Sequence, residues 1–178
     1  MDAKLMETLR RITDEEQKIL DGGASVDRSL YTGAKDFTID SSRMLQKGKL
    51  IDVRPHTRFV HFPEHRHNFV EILFVCQGTS TQIINHSQTV VLEAGDFLFL
   101  NQYTSHEILP AGPDDIAVNF MVLPEFFDTA FQMVGKDNAI SRFLVSTLCQ
   151  DDGRGEYLHF KAAGLLTVQN LAENMIWS

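Results

Sequence analysis

The chain has 178 residues and a formal net charge of −8, from 16 lysines and arginines against 24 aspartates and glutamates. This length suits one domain, and a hydrophobic content of 43% excludes a disordered chain. The excess of acidic residues argues against DNA binding by this stretch alone. The two cysteines are too few for a disulfide framework. We recognise no secretory signal and no apolar run of membrane length, so we expect a cytoplasmic protein.

The N-terminal region, residues 1–44, is predicted to be one helix followed by an irregular arm. The apolar residues at helical spacing within residues 2–20 are Leu5, Leu9, Ile12 and Ile19. Gly22 and Gly23 then provide a stop signal. Residues 24–44 are polar and lack a repeating pattern, so we expect a loop or an extended arm.

Residues 45–123 have a hydrophobic period of two, which is typical of strands. Turn signals such as Gln77-Gly78 and Ala94-Gly95 separate the runs. The predicted strands are Lys49–Arg54, Thr57–Phe62, Asn68–Cys76, Ser80–Asn85, Gln88–Leu92, Asp96–Leu100, His106–Leu109 and Ile116–Val122. Eight short strands without intervening helices predict a mainly β protein, a double-sheet jelly-roll barrel.

After Pro124 the helical period returns and predicts helices over 125–134, 138–149 and 162–177. Helices 138–149 and 162–177 carry apolar stripes that a small barrel cannot cover completely. We therefore expect a homodimer built by residues 124–178, the alternative being that both stripes fold back on their own barrel. The last helix lacks a stop signal, so we expect the natural polypeptide to continue beyond Ser178.

The stretch PEHRHNFVEILFVCQG, residues 63–78, carries the residues with the most chemistry. Alternate side chains of a strand share a face, which would align His65, His67, Phe69, Glu71, Leu73 and Val75. The opposite face is apolar as well, so we expect this strand to be covered on both sides. Two imidazoles and a carboxylate on one face suit a divalent first-row metal.

A second stretch, LEAGDFLFLNQYTSHEI, places His106 eleven residues after Gly95. The spacing H-x-H-x3-E-x6-G followed by G-x10-H resembles the two cupin motifs. The resemblance implies a cupin-like barrel, a double-stranded β-helix, with an N-terminal helix and C-terminal helices. It further implies that four residues converge on a divalent metal such as Zn, Ni, Fe or Mn, namely His65, His67, Glu71 and His106.

The run H-x-H-x3-E-I-x-x-V-x-x-G, followed by L-x-x-G-D-x-x-x-L and a further histidine, is similar to the sensor domain of AraC-type transcriptional regulators. The resemblance covers residues 45–123, and the helical region 124–178 also suits that family. It implies a non-enzymatic, effector-sensing and dimerisation domain of a bacterial regulator. Such regulators contact DNA through a pair of helix-turn-helix motifs that we do not recognise in this chain.

We therefore expect a small-molecule effector to bind inside the barrel. The predicted ligand-binding residues are His65, His67, Phe69, Glu71, His106 and Arg58, the last meeting an anionic or sugar ligand at the barrel mouth. Because the ordinary pKa of histidine is about 6.5, we expect binding to depend on pH near neutrality.

Several alternatives stay open at this stage. One alternative is that the histidines line the pocket without metal. 

Arg58 alternatively lies on a solvated strand edge. A metal-dependent cupin enzyme, such as a dioxygenase or an isomerase, is the runner-up to the regulator, and a stand-alone metabolite-binding cupin is the third reading. A further domain beyond Ser178 with two helix-turn-helix patterns would favour the regulator, and a coding sequence that ends there would favour the enzyme.

Overall fold

Two five-stranded sheets form the centre of the molecule in a computed structural model that describes residues 1–127 and 153–177. The strands are β1 Thr38–Ile39, β2 Ile51–Pro55, β3 Phe62–His67, β4 Val70–Gln77, β5 Thr79–Ile84, β6 Gln88–Glu93, β7 Asp96–Leu100, β8 His106–Ile108, β9 Ile116–Val122 and β10 Tyr157–Lys161. One sheet has the order β1-β3-β8-β5-β6 and the other β10-β7-β4-β9-β2. The mainly β, cupin-like architecture is confirmed.

The inner faces of the two sheets pack against each other through an apolar core. Its completely or almost completely buried side chains are Leu73, Val75, Ile84, Leu92, Leu98 and Leu100. They come from β4 and β7 of one sheet and from β5 and β6 of the other, at alternate positions of each strand. Burying each of them stabilises the fold by about 1.5–3 kcal/mol, so this layer holds the sheets together.

Strand β4 is covered on both sides, as its two apolar faces predict. Val70 and Phe74 on its outer face are 1% exposed and belong to a cluster that includes Ala172. Ala172 lies on the C-terminal helix Leu166–Trp177, and Leu9 from the N-terminus packs against the same cluster. Helices therefore cover the side of β4 that faces away from the barrel interior.

The N-terminal region contains two helices, α1 Ala3–Arg10 and α2 Asp14–Leu20. Thr13 accepts a hydrogen bond from the Glu16 backbone N–H, and the Glu16 carboxylate accepts one from the Thr13 backbone N–H. This capping box begins a new helix after the first has ended. The prediction of one helix over residues 2–20 is therefore wrong.

The predicted loop over residues 24–44 contains the short strand β1, a 3-10 turn at Arg28–Leu30 and a third helix, α3 Ser41–Met44. Strand β1 pairs in parallel with β3. Tyr31 and Phe37 are 7% exposed and pack on the ring of Phe62 in β3. The arm therefore extends the sheet and its core rather than lying free on the surface.

The strand boundaries around the histidines differ from the predicted ones. Residues 56–61 form no strand, and the predicted strand Thr57–Phe62 is wrong. Phe59 has a φ of 69°, which interrupts an extended chain. Strand β3 begins at Phe62, the chain bends at residues 68–69, and β4 then enters the opposite sheet. The prediction of one continuous strand face through His65 and Glu71 is therefore wrong.

The C-terminal helix, α4, spans Leu166–Trp177. Its residues Leu171 and Met175 are 59% and 46% exposed. Of the predicted helix 125–134, residues 125–127 are helical, and the rest, like helix 138–149, lies outside the described residues. In the part of the chain that the structure describes, no helix has the length and apolarity to cross a membrane. The division at residues 44 and 123 stays a prediction.

Candidate functional site

Three buried histidines converge between the sheets, and we call them the histidine cluster: His65, His67 and His106. One ring nitrogen from each lies within 4.8 Å of the other two. His65 in β3 and His106 in β8 are directly opposite each other in an antiparallel pairing, and His67 lies two residues beyond His65 on the same face. Strand pairing therefore brings together residues that are about forty positions apart in the chain.

Glu71 completes the donor set from the opposite sheet. Its Oε2 lies 3.5 Å from Nε2 of His67 and 3.4 Å from Nε2 of His106, and these two nitrogens are 3.2 Å apart. Two ligands that are each about 2.1 Å from one ion are separated by about 3.0–3.4 Å. The spacing and the nitrogen and oxygen donors therefore fit a divalent first-row metal.

Hydrogen bonds to the outer ring nitrogens orient two members of the histidine cluster. His65 Nδ1 donates to the Pro63 carbonyl over 2.9 Å, and His106 Nδ1 donates to Gln82 Oε1 over 2.8 Å. Because both oxygens can only accept, the proton of each neutral ring belongs on Nδ1. The lone pair is then on Nε2, which for His106 faces Glu71, as a metal ligand requires.

Burial sets the charge of the histidine cluster. It lowers the pKa of His65 to about 3 and holds the pKa values of His67 and His106 well below the ordinary range. Neutral imidazole is the form that binds metal. Burial also raises the pKa of Glu71 to about 8, so its carboxyl is neutral at pH 7 unless a cation is nearby. The expectation that these histidines titrate near neutrality is therefore wrong.

Gln82 is a site residue that the sequence analysis missed. It is completely buried in β5, and its Nε2 donates to Ser80 Oγ over 2.9 Å while its Oε1 accepts from His106. Alternation along β5 places Gln82 on the inner face together with Ser80 and Ile84, and a polar pair two residues apart on that face was the available signal.

Replacing Gln82 by leucine is expected to weaken metal binding about 10- to 100-fold, because His106 loses the acceptor that orients its ring. A competition titration with a metal-binding dye measures this change. Gln88→Leu, at the exposed start of β6, is the matched control and should bind as the wild type does. Equal affinity in wild type and a folded Gln82→Leu variant would show that Gln82 does not orient a ligand.

A cavity of about 560 Å³ adjoins the histidine cluster. His65, Phe69 and Glu71 form part of its wall, with further wall residues from α2 and from Tyr31 in the arm. His67 and His106 are not among its lining residues. The structure therefore brings three of the six predicted ligand-binding residues to the cavity wall, and the other three do not line it.

Arg58 does not line this cavity, contrary to its predicted place at the barrel mouth. Its Nε lies 2.7 Å from Oε1 of Glu16, and its Nη2 donates to Oε2 of Glu16 over 3.0 Å. Its Nη1 and Nη2 also donate to backbone carbonyl oxygens, including that of Pro113. Both side chains of the ion pair are at most 4% exposed. Arg58 does not reach the cavity because the segment before β3 is not a strand and because the Glu16 carboxylate on α2 binds its guanidinium. Arg54, by contrast, is exposed and does line the cavity.

Residues 53–129 match a family model described as the AraC-like ligand binding domain. This part of the chain is therefore similar to AraC-like ligand binding domains. The match includes β3, β4 and β8, which carry the histidine cluster and Glu71. It confirms the family resemblance expected from the spacing of the motifs.

Comparison with solved structures gives one neighbour with the same fold. The chain is similar to unsaturated fatty acid bound wild-type ToxT from Vibrio cholerae strain SCE256, with a TM-score of 0.51 and 11% identity over 72% of this chain and 46% of that one. It therefore spans less than half of that protein, and the likeness concerns the fold alone. A predicted oxalate decarboxylase from Thermotoga maritima aligns with a TM-score of 0.36 and 23% identity, over 47% of this chain and 72% of that one. No curated protein matches the sequence.

Proposed function

We propose that this chain is the effector-sensing and dimerisation part of an AraC-type transcriptional regulator, working in the cytoplasm. The observation that carries the proposal is the cavity of about 560 Å³ beside the histidine cluster of an AraC-like ligand binding domain. Its volume is within the range of small-molecule sites, about 300–1,000 Å³. Contact with DNA would need a further domain with helix-turn-helix motifs.

The N-terminal helices offer a route from the cavity to α4. Glu15 and Lys18 on α2 line the cavity, and Leu9 on α1 packs in the cluster that contains Ala172 of α4. The backbone N–H of Asp2 also donates to a carboxylate oxygen of α4. An effector acts on a dimer only through different affinities for two arrangements, and a ligand that moves α2 would change the surface on which α4 packs.

A divalent metal held by His65, His67, Glu71 and His106 is part of this proposal, with Zn, Ni, Fe or Mn as candidates. The donor set and its spacing support it. Such a metal would act as a Lewis acid for a ligand oxygen at the cavity wall. Without a metal, His65 and Glu71 would line the pocket as polar groups.

A metal-dependent cupin enzyme is the second candidate, and the histidine cluster is the observation that favours it. An enzyme of this kind needs open coordination positions that a substrate can reach. His65 and Glu71 provide such access because both line the cavity. A coding sequence that continues for about 100 residues with two helix-turn-helix patterns would instead favour the regulator.

A thermal-shift screen of small molecules tests the proposed sensor. A ligand at about 100 times its dissociation constant stabilises the protein by about 2.7 kcal/mol. We expect a true effector to lose this stabilisation in His65→Ala or Glu71→Ala, because both side chains line the cavity. A hit that keeps its full effect in both folded variants would place the effector outside the cavity.

We predict that α4 contributes to a homodimer interface. Leu171 is 59% exposed, so Leu171→Glu should leave the barrel folded and convert the dimer to a monomer, halving the mass measured by light scattering. Asn170→Glu adds the same charge at a neighbouring exposed position and is the control. A folded Leu171→Glu variant with the wild-type mass would exclude this face of α4 from the interface.

A further inference from the structure

Two residues that line the cavity each carry a buried acceptor atom without a donor. The first is Oε1 of Glu15 on α2, which has no hydrogen-bond partner within residues 1–127 and 153–177. The other oxygen of the same carboxylate, Oε2, accepts from the Tyr31 hydroxyl over 2.6 Å and from Thr57 Oγ1 over 3.4 Å. These bonds hold the carboxylate in place and leave one oxygen unmatched.

The second acceptor belongs to His56, which is 5% exposed and follows β2. Its Nδ1 lies 3.2 Å from Oδ1 of Asn119, so Nδ1 carries the proton and Nε2 carries the lone pair. Nε2 finds no donor in the described part of the chain. Burial lowers the pKa of His56 to about 4, so at neutral pH the ring stays neutral and Nε2 stays an acceptor.

A buried acceptor without a donor is unfavourable, and both residues line the space that an effector would occupy. We propose that the effector presents a hydrogen-bond-donating head group, a primary amine or an alcohol, to Glu15 Oε1 and His56 Nε2. Its apolar body packs on Phe69, Ile108 and Met121, which line the same cavity. The inference rests on the proposed ligand-sensing function and specifies the chemistry of the ligand.

The charges around the cavity allow a comparison with an anionic head group. The cations that line it, Lys18, Arg43 and Arg54, are all exposed. Water and salt weaken the attraction of exposed charges for a ligand. Hydrogen bonds to buried acceptors act in a medium of lower dielectric constant and are correspondingly stronger. The buried acceptors therefore decide the selectivity, and a donor head is preferred over a carboxylate.

Three compounds with one apolar body separate the possibilities by calorimetry: 3-phenylpropylamine, 3-phenylpropan-1-ol and 3-phenylpropanoate. We expect the amine and the alcohol to bind about tenfold or more tightly than the carboxylate. If the amine binds more tightly than the alcohol, the head group makes a charged hydrogen bond to Glu15. If the alcohol binds more tightly, the site prefers a neutral donor. Both results support the inference. A carboxylate that binds as tightly as either would overturn it and leave the cavity as the ligand site.

Glu15→Gln tests the acceptor directly. Its side-chain carbonyl can still accept from Tyr31, while the new NH2 group replaces the unmatched oxygen with a donor. We expect the preference for the amine over the carboxylate to fall about tenfold or more. Glu7→Gln, exposed on α1 and away from the cavity, should keep the wild-type preference. An unchanged preference in Glu15→Gln would refute the head-group assignment, and no binding by any of the three compounds would count against the ligand cavity itself.

Discussion

Purified without chelator, the wild-type protein is expected to contain about one equivalent of a divalent metal, and His106→Ala less than about a tenth of that. His106 lies at the centre of the donor set, 3.2 Å from His67 Nε2 and 3.4 Å from Glu71 Oε2. Its loss leaves two imidazoles and a carboxyl whose pKa burial raises to about 8. Those three groups retain a metal weakly because a proton competes for the carboxylate.

Elemental analysis of both proteins measures this difference. His61→Ala is the matched control, because His61 pairs with Glu107 at the surface and contributes nothing to the histidine cluster. It should keep the wild-type metal content. Equal metal in wild type and a folded His106→Ala variant would remove the proposed site, and a metal-free wild type would leave His65 and Glu71 as pocket-lining groups.

Arg58→Met is expected to destabilise the protein by about 3–5 kcal/mol, because it leaves the buried Glu16 carboxylate without its cation. Burial by itself would raise the pKa of Glu16, but hydrogen bonds from Arg58 and Thr13 and the charge of Arg58 hold it below its ordinary value. The ion pair therefore stabilises the fold fully at pH values above the pKa that Glu16 has in the unfolded chain. This stabilisation is lost as the pH falls through the lower pKa that Glu16 has in the folded protein.

Urea unfolding at pH 7 measures the change in the free energy of unfolding. Lys49→Met removes an exposed ion pair with Asp52 and should cost less than about 1 kcal/mol. The double variant Arg58→Met/Glu16→Leu should be more stable than Arg58→Met alone, because no unpaired charge stays buried. A loss below 1 kcal/mol in Arg58→Met would show that water reaches Glu16 and that the pair does not anchor α2.

Most strands and the C-terminal helix could be predicted because their residues repeat with a local period. The strand Asp96–Leu100 was predicted with the bounds that the structure has, since its inward and outward residues alternate between turn signals. The N-terminal helix was not divided correctly. The apolar spacing continues across the break, whereas the capping box at Thr13 and Glu16 depends on two side chains that satisfy backbone groups.

The order and spacing of His65, His67, Glu71 and His106 are properties of the linear chain, so the donor types and the resemblance to AraC-like ligand binding domains could be predicted from them. How these residues meet depends on tertiary packing. His65 and Glu71 are on strands of different sheets, and facing sheets bring them together although no single strand aligns them.

The tertiary structure also decided the role of Arg58 and the composition of the cavity wall. From the sequence alone, an arginine such as Arg58 is equally compatible with a ligand site and with a buried ion pair. The choice depends on Glu16, which is 42 positions away and becomes a neighbour only when α2 packs on the barrel. Long-range packing sets burial, and burial sets the charge and hydrogen-bonding state of each polar group, so the chemistry of the cavity follows from the folded chain.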